Sequence, residues 1–482
     1  MSDSHVVSTG GDGRGRSGGE AATDRERFVV IGGSIAGLAT ALALSRSGHT
    51  VTVVERDPLP IAGDPEAAFA IDRPGAPQTH ALHVFLARLV QVLRDRYPDV
   101  LAALEEVGVE VERNGDFAPL GDGLGNLMSR RSTIEWVLRR TLAADQSVTL
   151  LTGRGVEGLL GCASTRRRPA EVTGVALDDG TELTGTVIAC NGRRSDPGRW
   201  LAPLGVNIPE QIVQSERVYC SRWYSVPGGS RPANSLQRLD FMTYLMTPAD
   251  GGTFAVAMGA DPTDKQLRSY LYDDEAFDRI ARVLPIVGDW LETSGAVAIR
   301  PVRPMTGLIN RLRNFLHEDG SPRVLGFHAV GDAHTCTNPV YGRGCSLAFV
   351  GATLLADAVS DHPADLAARA IAYEQACASE IEPWFHNSVR VDEQEQAMDD
   401  GGELDEDAEA FAASSRLIAQ GLIQDTVVVT GLARMFNLLT TPDALFADQD
   451  FLERQRKAVA AAPEPPPGPG RAEILAAAGL AS

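Results

Sequence analysis

Residues 28–55 read FVVIGGSIAGLATALALSRSGHTVTVVE. The opening FVVI is a short apolar run of the kind shown by a strand buried on both faces. GGSIAG follows at 32–37, then an Ala/Leu-rich helix that stops at Gly48, then a second apolar run, TVTVVE, at 50–55. Strand, glycine turn, helix and a second strand ending on an acid make a β-α-β nucleotide-binding unit. Gly32 permits the tight turn, and Gly37 lets the helix pack close to the sheet. The amides that open the helix, at the positive end of its dipole, then face a pyrophosphate. Glu55 accepts hydrogen bonds from a ribose diol and repels a 2′-phosphate. Ser34 stands where the GxGxxG pattern has its second glycine, and is small enough for the backbone to approach the phosphates. The candidate cofactor contacts in this unit are Gly32, Ser34, Ile35, Ala36, Gly37, Glu55 and Arg56.

Gly153, Gly155 and Gly158 also spell GxGxxG after a strand-like VTLL at 148–151. No helix follows them. VEGLLG, then EVTGVALDDGTEL with its DDG turn, then TVIAC at 186–190 predict a β-meander. The chain therefore shows one dinucleotide fold and no second one for a nicotinamide cofactor.

A second glycine-rich connection lies near residue 330. After the strand-like VLGFHAVGD at 324–332 comes AHTCTNPVYGRGCSLAFVGATLLADAV. Asp332 ends a strand, Asn338-Pro339 with Gly342 and Gly344 makes a rigid loop, and an apolar helix begins near Cys345 or Ser346. A second helix N-terminus is thus aimed at a ligand. Asp332 suits a polyol hydroxyl, and the dipole suits negative charge on a reduced ring.

GDAHTCTNPVYGRG resembles the FAD-dependent aromatic hydroxylase superfamily, and within it the branch of polyether-type flavin epoxidases and related oxidoreductases, whose loop reads GDA…NPVYGQG. PQTHALH at 77–83, RSTIE at 131–135, VYCSRWY at 218–224 and VIACNGRRS at 187–195 are similar to segments of the same branch. The resemblance spans Phe28 to about Ala460. It implies that FAD is the cofactor, with Asp332, Gly342, Gly344, Cys345, Ser346, Arg131 and Val156 among its contacts. It also implies the chemistry: oxygen captured as a flavin C4a-hydroperoxide and one atom inserted into a small organic, secondary-metabolite-type substrate, by hydroxylation or epoxidation. Asn191 replaces the usual Asp of the DG motif, and His334 sits one residue early. NAD(P)H or a separate flavin reductase is therefore the expected electron source. The position of PQTHALH predicts a helix whose first turn lies over the cofactor, with His83 and Gln78 as catalytic candidates. A neutral imidazole there takes a proton from a phenol or holds a peroxide oxygen; the alternative is that His80 and His83, three apart on one helix face, merely pack.

The expected fold is α/β: a discontinuous Rossmann-like FAD-binding domain, an inserted antiparallel-sheet substrate domain and a C-terminal helical region. The boundaries are a disordered leader at 1–27, a first FAD-binding part at 28–200 with a helical cover at 63–124, a substrate domain at 201–304, a second FAD-binding part at 305–375, helices at 376–462, and a Pro-rich linker and dispensable tail at 463–482. In 218–224, alternation puts Tyr219, Ser221 and Trp223 on one face and Cys220, Arg222 and Tyr224 on the other. One of these faces lines the substrate cavity, and alternation does not choose between them. DDGGELDEDAE at 399–409 reads as a solvated acidic loop.

The net charge of -20 argues against nucleic acid and anionic membrane as partners. Six scattered cysteines, without CxxC or a His cluster at metal-ligand spacing, predict reduced thiols, a cytoplasmic setting and no metal. The leader lacks a signal peptide's apolar run, and no membrane span is expected. A flavin halogenase is disfavoured, because no lysine precedes Lys265 and the tryptophans are isolated. A dehydrogenase or reductase of the same fold is the alternative, and a flavoprotein that only binds FAD is the non-enzyme reading. Substrate identity, electron donor and oligomeric state stay open.

Overall fold

The computed structural model describes residues 25–112, 121, 123–165, 168–215, 217–399, 406–464 and 467–479. Five parallel strands form its central sheet, in the order Phe327–Ala329, Thr186–Ala189, Arg27–Ile31, Thr50–Glu55, Val148–Thr152. Three separate stretches of chain thus build one sheet, which is the discontinuity the sequence predicts. The apolar run of the first strand is explained by its two neighbours. Phe28 and Val30 face a core shared with helices Ile35–Arg46 and Gly344–Asp361. Val29 and Ile31 face the core of the β-meander. Beyond Val148–Thr152 the chain runs antiparallel through Val156–Cys162, Ala170–Leu177 and Glu182–Thr184, with no helix, as read from the sequence.

Helix Gly344–Asp361 spans 18 residues with mean hydropathy 1.2, long and apolar enough to cross a membrane. It is 72% buried within the fold, the position of a core helix. The inserted sheet is antiparallel, ordered Ser235–Leu239, Met242–Pro248, Thr253–Ala260, Val218–Ser225, Val297–Ala298. Its Cys220/Tyr224 side packs against helices Lys265–Leu271, Asp274–Val283 and Val287–Ser294. Arg222 on that side is held by Asp274 and Asp278. The other side, with Tyr219, Ser221 and Trp223, turns toward residues 80–83: Leu82 N donates to Ser221 Oγ at 3.1 Å and Trp223 Nε1 to His80 O at 2.8 Å. This settles which face looks toward the nucleotide-binding sheet.

Three expectations need correction. The stretch 77–83 does not begin a helix: Pro77–His80 is a single 3-10 turn, and the helix starts only at Ala87. Pro77 opens the turn, and Leu86 lies extended ahead of the helix, so His80 and His83 share no helix face. The leader ends earlier than residue 27, because Glu26 pairs with the fully buried Arg369 through two 2.8 Å bonds; residues 1–24 lie outside the described residues. Last, the tail is docked. Helix Arg471–Gly479 buries Ile474 and Ala478 in the core of the inserted sheet, and Arg471 pairs with Asp264 at 2.6 Å. Most of the acidic loop at 399–409 falls outside the described residues.

Candidate functional site

Two helix N-termini meet at one place. A Cβ added at Gly331 (φ +65°) would lie 2.9 Å from Ala36 Cβ and 3.5 Å from Ala348 Cβ. Both helices therefore start beside the turn that carries Asp332. Neither start is capped by a side chain, and the first amides of a helix have no intrahelical acceptor. At the first helix the packing leaves no slack: a Cβ at Gly37 would sit 1.7 Å from Gly32 O. Gly32 itself turns at φ +109°.

Arg131, at the start of helix Arg131–Ala143, lies between the two ends. Its Nη2 donates to Ser34 Oγ at 2.7 Å and its Nε to Glu135 at 2.9 Å. Burial lowers its pKa, but the charge of Glu135, and more weakly that of Asp332, outweighs burial and raises it. Burial raises the Asp332 carboxyl above its ordinary value, against the pull of Arg131, Arg193 and Arg311. No described residue donates a hydrogen bond to the Asp332 side chain. A sheltered carboxylate short of donors, beside two open helix N-termini, is what a polyol chain and a pyrophosphate require. Burial pushes the Cys345 thiol up to about 11, so it stays neutral at neutral pH. Ser346 accepts from Leu86 N at 3.2 Å, tying the second helix to the 80–86 segment. Gly342 (φ +65°) brings its loop against Val84.

Glu55 ends its strand as expected, but its carboxylate already has protein donors: Gly33 N at 2.8 Å, Asp57 N at 2.9 Å and Arg73 Nη2 at 2.9 Å. Arg73 also reaches Glu135 at 2.5 Å. Burial raises the Glu135 carboxyl, but Arg73, Arg131 and Arg139 outweigh burial and hold it well below the usual carboxylate range. Ser34 donates to Glu135 at 2.5 Å, so the serine in the second glycine's place is fixed by this network. Arg73 and Arg139 were not among the expected contacts. The spacing 131, 135, 139 could have revealed part of the cluster, since residues four apart share a helix face; nothing in the sequence marks Arg73. Arg56 is exposed and reaches Gly75 O. Val156 opens its strand beside the nucleotide strand's end, where Arg154 N donates to Glu55 O at 3.1 Å.

His83 sits against Arg131, Nε2 to Nη1 at 3.0 Å, with Nδ1 3.0 Å from Ala81 O. A guanidinium only donates, so Nε2 accepts and Nδ1 carries the proton. Burial, with the charge of Arg131, drops the imidazole pKa to about 3. The ring is neutral and both nitrogens are engaged. Gln78 is exposed on the Pro77–His80 turn and is not brought to this cluster. His334 turns away, to Glu374 at 3.2 Å and Thr335 at 2.7 Å.

Residues 27–128 match the protein-family model described as FAD dependent oxidoreductase. The segment that carries the nucleotide-binding unit is thus similar to FAD-dependent oxidoreductases. Protein Rv3254 of Mycobacterium tuberculosis is 30% identical over 236 residues, which is 44% of this chain and 47% of that protein, so the match spans about half the relative's length. Among solved structures, PqsL, a probable FAD-dependent monooxygenase from Pseudomonas aeruginosa, superposes with a TM-score of 0.56 at 17% identity, covering 78% of this chain and 96% of that one. The p-nitrophenol 4-monooxygenase PnpA from Pseudomonas putida gives 0.56 at 17% identity, covering 87% and 99%. A triple mutant of the flavin-dependent brominase Bmp2 gives 0.59 at 15% identity, covering 90% and 98%. At these identities the likeness shows a shared fold, the one these flavoenzymes use. The residues fit FAD: a glycine turn that only a close-packed helix start permits, paired helix N-termini, and Asp332 short of donors.

Proposed function

We propose that this protein is an FAD-dependent monooxygenase that inserts one oxygen atom of O2 into a small organic molecule, by hydroxylation or epoxidation. The observation that carries the reading is the meeting of the two helix starts at Gly331, with Asp332 and Arg131 between them. Bound FAD supplies the oxygen-activating redox chemistry. The chain's own groups do the rest. The amides opening helix Ile35–Arg46, with Arg131, would hold the pyrophosphate, and Asp332 would accept from the ribityl hydroxyls. Glu55 holds the ribose in competition with Arg73. The amides opening helix Gly344–Asp361 favour negative charge on the reduced ring.

His83 acts through Arg131. With Nε2 accepting from the guanidinium, it takes no proton from a substrate in this arrangement; it orients Arg131. The 80–83 segment packs directly on the Ser221/Trp223 end of the inserted sheet, which keeps water from that side. PqsL has been solved in complex with 2-aminobenzoylacetate, which supports a small organic molecule as substrate here. Electrons come from NAD(P)H or a partner reductase. The six free thiols support a reducing, cytoplasmic setting. The test is the purified protein itself: it carries FAD, released as a yellow chromophore on denaturation, and with reductant and substrate it incorporates one 18O atom from labelled O2. Product formed without label would instead make it a dehydrogenase.

A further inference from the structure

The inserted sheet's inward face is apolar in its middle, with Arg238 and Arg303 on its two edge strands. Paired residues project to the same side of a sheet, so Tyr219, Ser221 and Trp223 share that face with Gly259, Ala257 and Ala255, and with Thr243 and Leu245. Phe69 and Leu82 pack with Trp223 and Ala255 in a small apolar cluster. Tyr219, Ala257, Thr243 and Leu245 stay half-buried, an apolar floor within reach of a small molecule. It is flat at Gly259, where an added Cβ would meet the Tyr219 ring at 2.5 Å.

Charge enters beside Tyr219. Arg217 Nε lies 3.2 Å from one oxygen of Glu395, and Arg238 Nη1 3.1 Å from the other. Asp392, on the same helix (Glu382–Asp399), accepts from Asn310 at 2.7 Å, from Asn338 at 3.1 Å and from Tyr341 at 2.9 Å. Two guanidiniums thus share the Glu395 carboxylate, with Asp392 one turn earlier on the same helix. Arg303, paired with Ser221 from the opposite edge, lies 3.9 Å from Asp72.

We propose that Glu395 sets the charge specificity of this floor: by engaging Arg217 and Arg238 together, it makes the floor a site for an uncharged, largely apolar organic molecule and closes it to carboxylates. The inference rests on the proposed function only in calling that molecule a substrate. A carboxylate arriving here finds both guanidiniums already paired and two acids nearby, so its lost hydration is not replaced. A neutral ring or alkene needs only the apolar surface and a hydroxyl for orientation.

Calorimetric titration of the full-length protein with 2-naphthol and 2-naphthoate at neutral pH tests this. The parent binds 2-naphthol at least about tenfold more tightly than 2-naphthoate. Glu395→Gln, which removes the carboxylate that Arg217 and Arg238 share, narrows or reverses that ratio, and Glu395→Asp restores it. Ala257→Phe fills the floor and abolishes 2-naphthol binding. Equal binding of both probes, binding of neither, an unchanged ratio in Glu395→Gln, or full binding in Ala257→Phe overturns the assignment. The visible absorption of the same samples reports FAD. Protein that never binds FAD yet prefers 2-naphthol refutes the proposed function alone, while FAD-loaded protein without the preference refutes this assignment alone.

Discussion

Replacing Gly37 by alanine puts one methyl group where the fold has no room. The added Cβ lies 1.7 Å from the Gly32 carbonyl oxygen and 3.3 Å from Val30 Cγ1, while separations under 3.0 Å force a neighbour to move. That oxygen is backbone in a loop already held at φ +109°, so it cannot rotate aside as a side chain would. Helix Ile35–Arg46 must instead lift off the sheet until 1.7 Å becomes about 3 Å. Overpacking costs about 1–3 kcal/mol where side chains absorb it, and a backbone neighbour places this site near about 3 kcal/mol. The amides that would hold the pyrophosphate move with the helix. Each charge-assisted hydrogen bond is worth about 1.5–3 kcal/mol, so losing one weakens FAD binding by roughly 10- to 100-fold. Flavin fluorescence quenching gives the affinity and thermal melting the stability. Gly63→Ala is the control: nothing lies within 4 Å of its added Cβ, and it leaves both unchanged or gains up to about 1 kcal/mol. A Gly37→Ala protein that binds FAD and melts like the parent would refute the close-packed turn as the basis of the cofactor site.

Glu55→Gln removes the charge facing Arg73 and the ribose, and lowers FAD affinity by about 1.5–3 kcal/mol in the same titration; unchanged affinity means Arg73 keeps Glu55 out of cofactor binding. His83 titrates near 6.5 when unfolded and only at about 3 when folded. Because the folded pKa is the lower, the unfolded chain takes the proton first, and stability falls as pH drops from 6.5 toward 3. At pH 5 the loss reaches up to about 2 kcal/mol. His83→Gln, whose amide oxygen still accepts from Arg131, flattens that fall in urea midpoints taken at pH 7 and pH 5; a slope equal to the parent's refutes it. Deleting residues 463–482 uncovers the surface where Ile474 is fully buried and lowers the melting point, the isoleucine alone accounting for about 1.5–3 kcal/mol. An unchanged melt returns the tail to the dispensable status its composition suggests.

The nucleotide-binding unit was legible because its demands are local. Gly32, Gly37 and the apolar strand fall within a few residues of one another, and each answers a constraint of the same turn. Asp332 was only partly legible: it stands ahead of a loop dense in Gly, Pro and Asn, but it lies in the turn Gly331–Ala333 and not at the end of a strand, which stops at Ala329. The 77–83 segment misled because its conformation is set at a distance. Trp223 and Ser221, some 140 residues on, bond to the backbone at 80 and 82, and the chain stays extended to meet them. The tail misled likewise: Ala-rich and short, it is a weak helix alone, and burial against helix Asp274–Val283 decides its state.

Ser34 joins the local and the distant. Read alone, it is a tolerated substitute for glycine in a phosphate-binding turn. In the fold its hydroxyl donates to Glu135 and receives from Arg131 and, at 3.3 Å, from Arg73. A glycine there would leave Glu135 one donor short and Arg131 with one fewer fixed acceptor. The departure from the glycine pattern is therefore coupled to the arginines. Three guanidiniums from two elements converge on one carboxylate at a helix N-terminus, and an anion replacing part of Glu135's role would find them already oriented. His83 belongs to that same arrangement, because its neutral ring accepts from Arg131 without adding charge. The imidazole that the sequence offers as a catalytic candidate has, in the fold, one nitrogen on Arg131 and the other on Ala81 O.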